Sequence, residues 1–191
     1  MNKITINRCT WCGDDPLYVA YHDNEWGKPI FDDRALFALL CLESMQAGLS
    51  WITILRKREN YYHAFADFDP AIIATFDDKK IDELMQNAGI IRHRGKIKAI
   101  IDNAKLYLKI TQTQSFCDYL WAMSPSGLTK IPKDNKPKSL SDIPSSTEHS
   151  IKMAKQLKKD GFKFLGATTC YAFMQACGMV NDHLVDCEFR N

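Results

Sequence analysis

Apolar residues recur three and four positions apart along most of this chain, and strand-like alternation is scarce. That periodicity constrains the fold more than any other feature, and it predicts a chain rich in helices. Asp32 or Asp33 is placed to cap a helix running to about Gln46, with Leu36, Leu39 and Leu40 on its apolar stripe. Gly48 breaks it, and Ser50 opens a helix over roughly Trp51 to Ala64. Pro70 starts a short helix. Asp77 or Asp78 caps a helix bearing Ile81, Leu84, Met85 and Ala88, closed by Gly89. A turn over Ile90 to Gly95 leads into a helix with Ile97, Ile100, Ile101, Ala104 and Leu108. Two amphipathic helices joined by a glycine-bounded turn predict a helical hairpin. Asp118 is read as the cap of a short helix with Leu120, Trp121 and Met123. Ser124 to Pro144 holds four of the seven prolines and reads as a surface loop. Ser146 or Thr147 opens a helix with Ile151, Ala154 and Leu157, closed by Gly161, and a last helix runs from about Thr168 to Cys177.

A chain of 191 residues, 46% hydrophobic and 25% charged, can bury a core of its own and is not of disordered composition. The longest charge-free run, Phe164 to Asn181, is broken by Gly166, Gln175 and Gly178 and reads as a buried helix rather than a membrane span. Asn2, Lys3, Thr5, Asn7 and Arg8 interrupt any secretory core, so a cytoplasmic location is expected. The net charge of +2 does not point to nucleic acid by itself. The local charge does: Arg92, Arg94, Lys96 and Lys98 fall together with no acid between them.

Three places carry candidate chemistry. The chain ends offer Cys9, Cys12, His22, His183 and Cys187. Zinc takes four N/S donors in a tetrahedron, and these commonly arrive as two local pairs. His183 and Cys187 form one pair. Cys9 with Cys12, or Cys9 with His22, forms the other, and spacing favours the former slightly. Next, Glu43 sits on an apolar helix face, close in sequence to Trp51, while Trp11, Tyr18, Tyr21 and Trp26 crowd the N-terminal segment. A carboxylate among aromatic rings suits a flat, cationic ligand. Finally, a helix opening at Gly95-Lys96 beside Arg92 and Arg94 suits a phosphate, held without reading sequence. Cys41, Cys117, Cys170 and Cys177 read as core, and His63, His93 and His149 as surface residues.

Asp15–Gly27, Gln46–Ile52, Ala88–Ile97, Gly161–Gly166, Met174–Gly178 and Val180–His183 together resemble the DNA-3-methyladenine glycosylase I family. The likeness runs from Arg8 to Cys187. It implies an all-α, helix-hairpin-helix DNA glycosylase fold in one unit over residues 1–191. A helical part, 33–145, would hold the hairpin at about 78–109, and the terminal parts, 1–32 and 146–191, would be stapled by zinc. The resemblance places a structural Zn2+ on Cys9, His22, His183 and Cys187. It puts substrate contacts on Glu43, Tyr21 and Trp51, with Trp11 and Tyr18 close by, and gives Glu43 the catalytic role. DNA contacts fall on the hairpin (Arg92, Arg94, Gly95, Lys96) and on Gly48 and Leu49, the loop that enters the base stack. The implied activity is base excision repair: hydrolysis of the N-glycosidic bond of 3-methyladenine in double-stranded alkylated DNA, by a monomer without lyase activity. Two competing readings are a non-catalytic, zinc-stapled DNA-binding module and a zinc hydrolase using His22, Glu25 and Glu43.

Overall fold

The structure, a computed structural model, describes residues 6–190; Asn2, Lys3 and Thr5, used above to judge the N-terminus, lie outside it. Ten helices carry the fold among the described residues. They are α1 (Pro16–Asn24), α2 (Asp33–Gln46), α3 (Trp51–Leu55), α4 (Arg58–Ala64), α5 (Pro70–Ile73), α6 (Asp78–Gln86), α7 (Arg94–Ile110), α8 (Phe116–Trp121), α9 (Glu148–Asp160) and α10 (Ala167–Ala176). Two residue pairs form a small parallel ladder, β1 (Lys133–Asp134) on β2 (Val180–Asn181). No helix is long and apolar enough to cross a membrane among the described residues.

Helix α2 is the axle. Asp32 caps it by accepting from the Ala35 N–H, and Leu36, Phe37, Ala38, Leu40, Cys41, Leu42, Glu43, Ser44 and Met45 are all buried. A helix buried on nearly every side belongs inside the core rather than on its surface. The one-sided stripe expected from Leu36, Leu39 and Leu40 is therefore too narrow. Helices α3, α7, α8 and α10 pack around α2, and one core cluster runs from Tyr21 to Val180. The chain after Ser50 is two helices and not one, α3 and α4, broken at Arg56-Lys57.

The helical hairpin is present as α6 and α7. Asp77 caps α6, and the side chain of His93 caps α7 by accepting from the Lys96 N–H. His93 is thus a capping residue, and α7 opens at Arg94, slightly earlier than expected. Asp118 does not cap α8: Ser115 does, accepting from the Asp118 N–H, with Asp33 taking the N–H groups of Phe116 and Cys117. Thr147 caps α9 in a reciprocal box with Ser150, and Gly161 closes it. Gly178 ends α10 at φ 69°, where a Cβ would lie 2.4 Å from the Pro29 nitrogen, so only glycine lets that strand of backbone pass.

Candidate active site and metal centre

Helix α1 serves two sites at once. Asp15 caps it through the N–H groups of Leu17 and Tyr18, and Pro16 pre-sets its first turn. This Asp-Pro start is a helix signal readable in the sequence, although α1 carries no clear apolar stripe. Tyr18, Tyr21 and His22 then fall three and four residues apart on one face. Tyr18 and Tyr21 face a cavity of about 290 Å3 lined by Trp11, Trp26, Glu43, Gln46 and Trp51 among others. Trp11 packs edge to face on Tyr18 at 5.0 Å and on Trp26 at 4.9 Å, and Tyr21 lies tilted against Trp51 at 5.5 Å.

Glu43 comes from the buried axle into this cavity with 3% of its surface exposed. Among the described residues its Oε2 atom has no hydrogen-bond partner, and neither have the indole Nε1 atoms of Trp11 and Trp51. Three buried polar atoms left unmatched around one cavity are costly for an empty fold and useful for a ligand with donors and acceptors at its edge. Burial lifts the Glu43 carboxyl to about 8, with no cation beside it among the described residues to offset the lost hydration.

All five pocket residues inferred from sequence line the cavity. Two parts of its lining were not foreseen. Leu140 and Ile143 reach it from the proline-rich loop, which therefore does more than cross the surface. Gln175 reaches it from α10, and its Nε2 donates to the buried Asp182 carboxylate at 2.8 Å. No local pattern marks either, since both arrive by long-range packing.

Below the cavity, Cys9, His22, His183 and Cys187 are all buried, with one donor atom from each within 4.8 Å of the others. Cys187 Sγ lies 3.4 Å from His183 Nδ1 and 3.6 Å from His22 Nε2, and Cys9 Sγ lies 3.6 Å from His183 Nδ1. Zinc–sulfur and zinc–nitrogen bonds at a tetrahedral angle set sulfur and nitrogen about 3.5 Å apart. The outer contacts agree with this: Asp23 meets His22 Nδ1 at 2.8 Å, the Trp26 carbonyl meets His183 Nε2 at 3.2 Å, and the Leu184 N–H donates to Cys9 Sγ. The donor set fits a tetrahedral metal. Cys12 stays outside it, its thiol donating to the Cys9 carbonyl. Glu25 pairs with Arg58 on the surface, so His22, Glu25 and Glu43 do not converge as a hydrolytic zinc site would require.

At the hairpin, Arg92, Arg94 and Gly95 are exposed, with Arg94 paired to Asp82. Lys96 is not on this surface: it is 6% exposed and its ammonium points into the fold. Gly48 takes φ 82° and leaves Leu49 41% exposed at the tip of a turn. Asp118 faces Lys130 at 2.5 Å and is not among the cavity residues.

The methyladenine glycosylase family model matches residues 11–191. The chain belongs to that family, hydrolases that act on the N-glycosidic bond. It is 52% identical to DNA-3-methyladenine glycosylase 1 of Escherichia coli (strain K12) over 95% of this chain and 96% of that one. A crystal structure of 3-methyladenine DNA glycosylase I superposes with a TM-score of 0.93 at 53% identity, over 97% of this chain and 100% of the other. A variant of such an enzyme in complex with 3-methyladenine superposes at 0.91 and 42% identity, over 97% and 98%. The fold of these family members is the mostly helical one described above.

Proposed function

We propose that this chain excises 3-methyladenine from alkylated double-stranded DNA as a monofunctional, monomeric glycosylase of the helix-hairpin-helix class. The observation that carries the reading is Glu43 Oε2, buried in an aromatic cavity without a partner among the described residues.

Methylation at N3 makes adenine a cation and weakens its bond to the sugar. Water adds to C1′, the C1′–N9 electron pair leaves with the base, and the base departs as neutral 3-methyladenine; the proton lost by water passes to solvent. The base is a good leaving group, so the protein's work is to extrude, hold and select it. Tyr21 and Trp51 hold its faces, with Trp11 and Tyr18 beside them, and Glu43 meets its edge.

Charge decides the selection. Lifting Glu43 from 4.5 to about 8 corresponds to roughly 5 kcal/mol against its ionised form. A unit positive charge about 4 Å away returns roughly 4 kcal/mol at an effective dielectric of 20. A cationic base therefore brings Glu43 close to its charged state, whereas ordinary adenine leaves it protonated. That difference is where discrimination arises.

Arg92, Arg94 and the opening of α7 at Gly95 take backbone phosphates, and Gly48 and Leu49 enter the stack where the base has left. Cys9, His22, His183 and Cys187 hold one structural Zn2+, which ties residues 1–32 to 146–191 around the 33–145 part. When bound, the ion supplies cross-linking and no open coordination position. The setting is base excision repair in the cytoplasm.

Incubation with methylated duplex DNA and chromatography of the released bases tests this. Free 3-methyladenine is expected. DNA binding without any release would favour the non-catalytic binding module.

A further inference from the structure

Position 96 falls on the inward stripe of α7, one helical turn before Ala99 and Ile100 and two before Asn103, all of them buried. A lysine there is unexpected, since an aliphatic residue would fill the space at no desolvation cost. Its Nζ donates to the Met45 carbonyl at 3.0 Å and the Ala47 carbonyl at 2.6 Å. These belong to the last turn of α2 and the residue after it, where helix carbonyls lack intrahelical partners and a cation is favoured. Between them, the Gln46 carbonyl accepts from the Leu49 N–H at 2.6 Å. Three successive carbonyls are thus held, and among the described residues the side chain holding two of them comes from the hairpin. Directly after them the chain turns through left-handed Gly48 to exposed Leu49 and on to Trp51 in the cavity. Burial lowers the Lys96 pKa, in keeping with a cation solvated by carbonyls rather than by water.

We propose that Lys96 is a positioning residue that locks the Ala47–Leu49 turn to the hairpin, so that seating the hairpin on a DNA backbone sets Leu49 against the base stack. This rests on the glycosylase reading above. Lys96 touches neither base nor phosphate, and its role is to make backbone grip and base extrusion one rigid movement.

The test compares Lys96→Met, Lys96→Arg and Leu49→Ala with the unaltered chain in three readouts. These are quenching of tryptophan fluorescence by free 3-methyladenine, single-turnover release from methylated duplex, and fluorescence of 2-aminopurine beside an abasic analogue in duplex DNA. Lys96→Met is expected to bind the free base within about twofold of the unaltered chain. Its release rate should fall tenfold or more, about 1.4 kcal/mol on the barrier, and its 2-aminopurine signal should fall to that of Leu49→Ala. Lys96→Arg, which keeps cation and donors, restores most of both. The double variant with Leu49→Ala is no slower than the slower single, because both remove one device. If Lys96→Met does not fold, Lys96→Gln, with an N–H for one carbonyl, should fall between Arg and Leu49→Ala. Normal release by the Met or Gln variant overturns the proposal. So does parallel loss of free-base binding and release, which marks a merely structural residue, and so does an Arg variant as slow as Leu49→Ala. Failure of the unaltered chain to bind 3-methyladenine would instead remove the glycosylase reading on which the proposal stands.

Discussion

The ring of Trp26 lies edge-on to that of His183, with centroids 4.7 Å apart, and the Trp26 carbonyl meets the same imidazole. Trp26 also lines the aromatic cavity. Cavity wall and Cys/His cluster therefore share a layer of side chains, and His22 extends it, 5.3 Å from Trp11. Metal removal is expected to lower Tm by roughly 10 °C or more, since each kcal/mol is worth about 2–4 °C at this size. Tryptophan fluorescence and excision should change along with it. Metal analysis before and after chelation, followed by calorimetry, checks this; excision lost at once with Tm unchanged would indicate a catalytic ion instead.

Glu43 gives a pH-dependent stability. Its folded pKa of about 8 exceeds its unfolded value near 4.5, so between those limits the folded state binds the extra proton. Stability contributed by this group is whole below pH 4.5 and is lost as pH rises through 8. Glu43→Gln, which never ionises, should be more stable than the parent by a few kcal/mol above pH 8, and the gap should close toward pH 5. Urea melts of both proteins from pH 5 to 9 measure it. Parallel curves would place the carboxyl outside the apolar cavity.

Arg92 is exposed on the hairpin turn. Arg92→Ala should weaken binding to all duplex sequences alike and reduce the slope of log K against log salt by about 1. Fluorescence anisotropy with two unrelated duplexes at several salt concentrations reads both quantities. A loss confined to one sequence would mean that Arg92 reads bases.

Much of this site was legible in the sequence, and the reasons are local. Asp32, Asp77 and Thr147 act as caps because a short side chain before an apolar run has few other uses. Glu43 stood out as an acid on an apolar face. The Cys/His cluster was less legible, because Cys9 is as well spaced from Cys12 as a ligand pair requires; only the fold turns Cys12 to a carbonyl and brings His22 in. Lys96 looked like its neighbours Arg94 and Lys98, and its inward direction depends on where α2 ends. Leu140, Ile143 and Gln175 were invisible, since tertiary packing alone brings them to the cavity.

Asp118 occupies a tempting position after the hairpin, yet its carboxylate is held by Lys130 and Ser115 below the usual range. Asp118→Asn is expected to leave the excision rate unchanged, with little change in Tm. Single-turnover kinetics on methylated duplex decide this, and abolished excision in a folded variant would make Asp118 part of the chemistry.

The most direct measurement is calorimetric binding of a permanently cationic base, 3,9-dimethyladeninium, against neutral 9-methyladenine, for the protein and for Glu43→Gln. The cation should bind at least about tenfold more tightly to the unaltered protein, or 1.4 kcal/mol, and Gln at position 43 should remove most of that preference. Equal affinities, or a preference that survives the substitution, would contradict selection by the buried carboxyl.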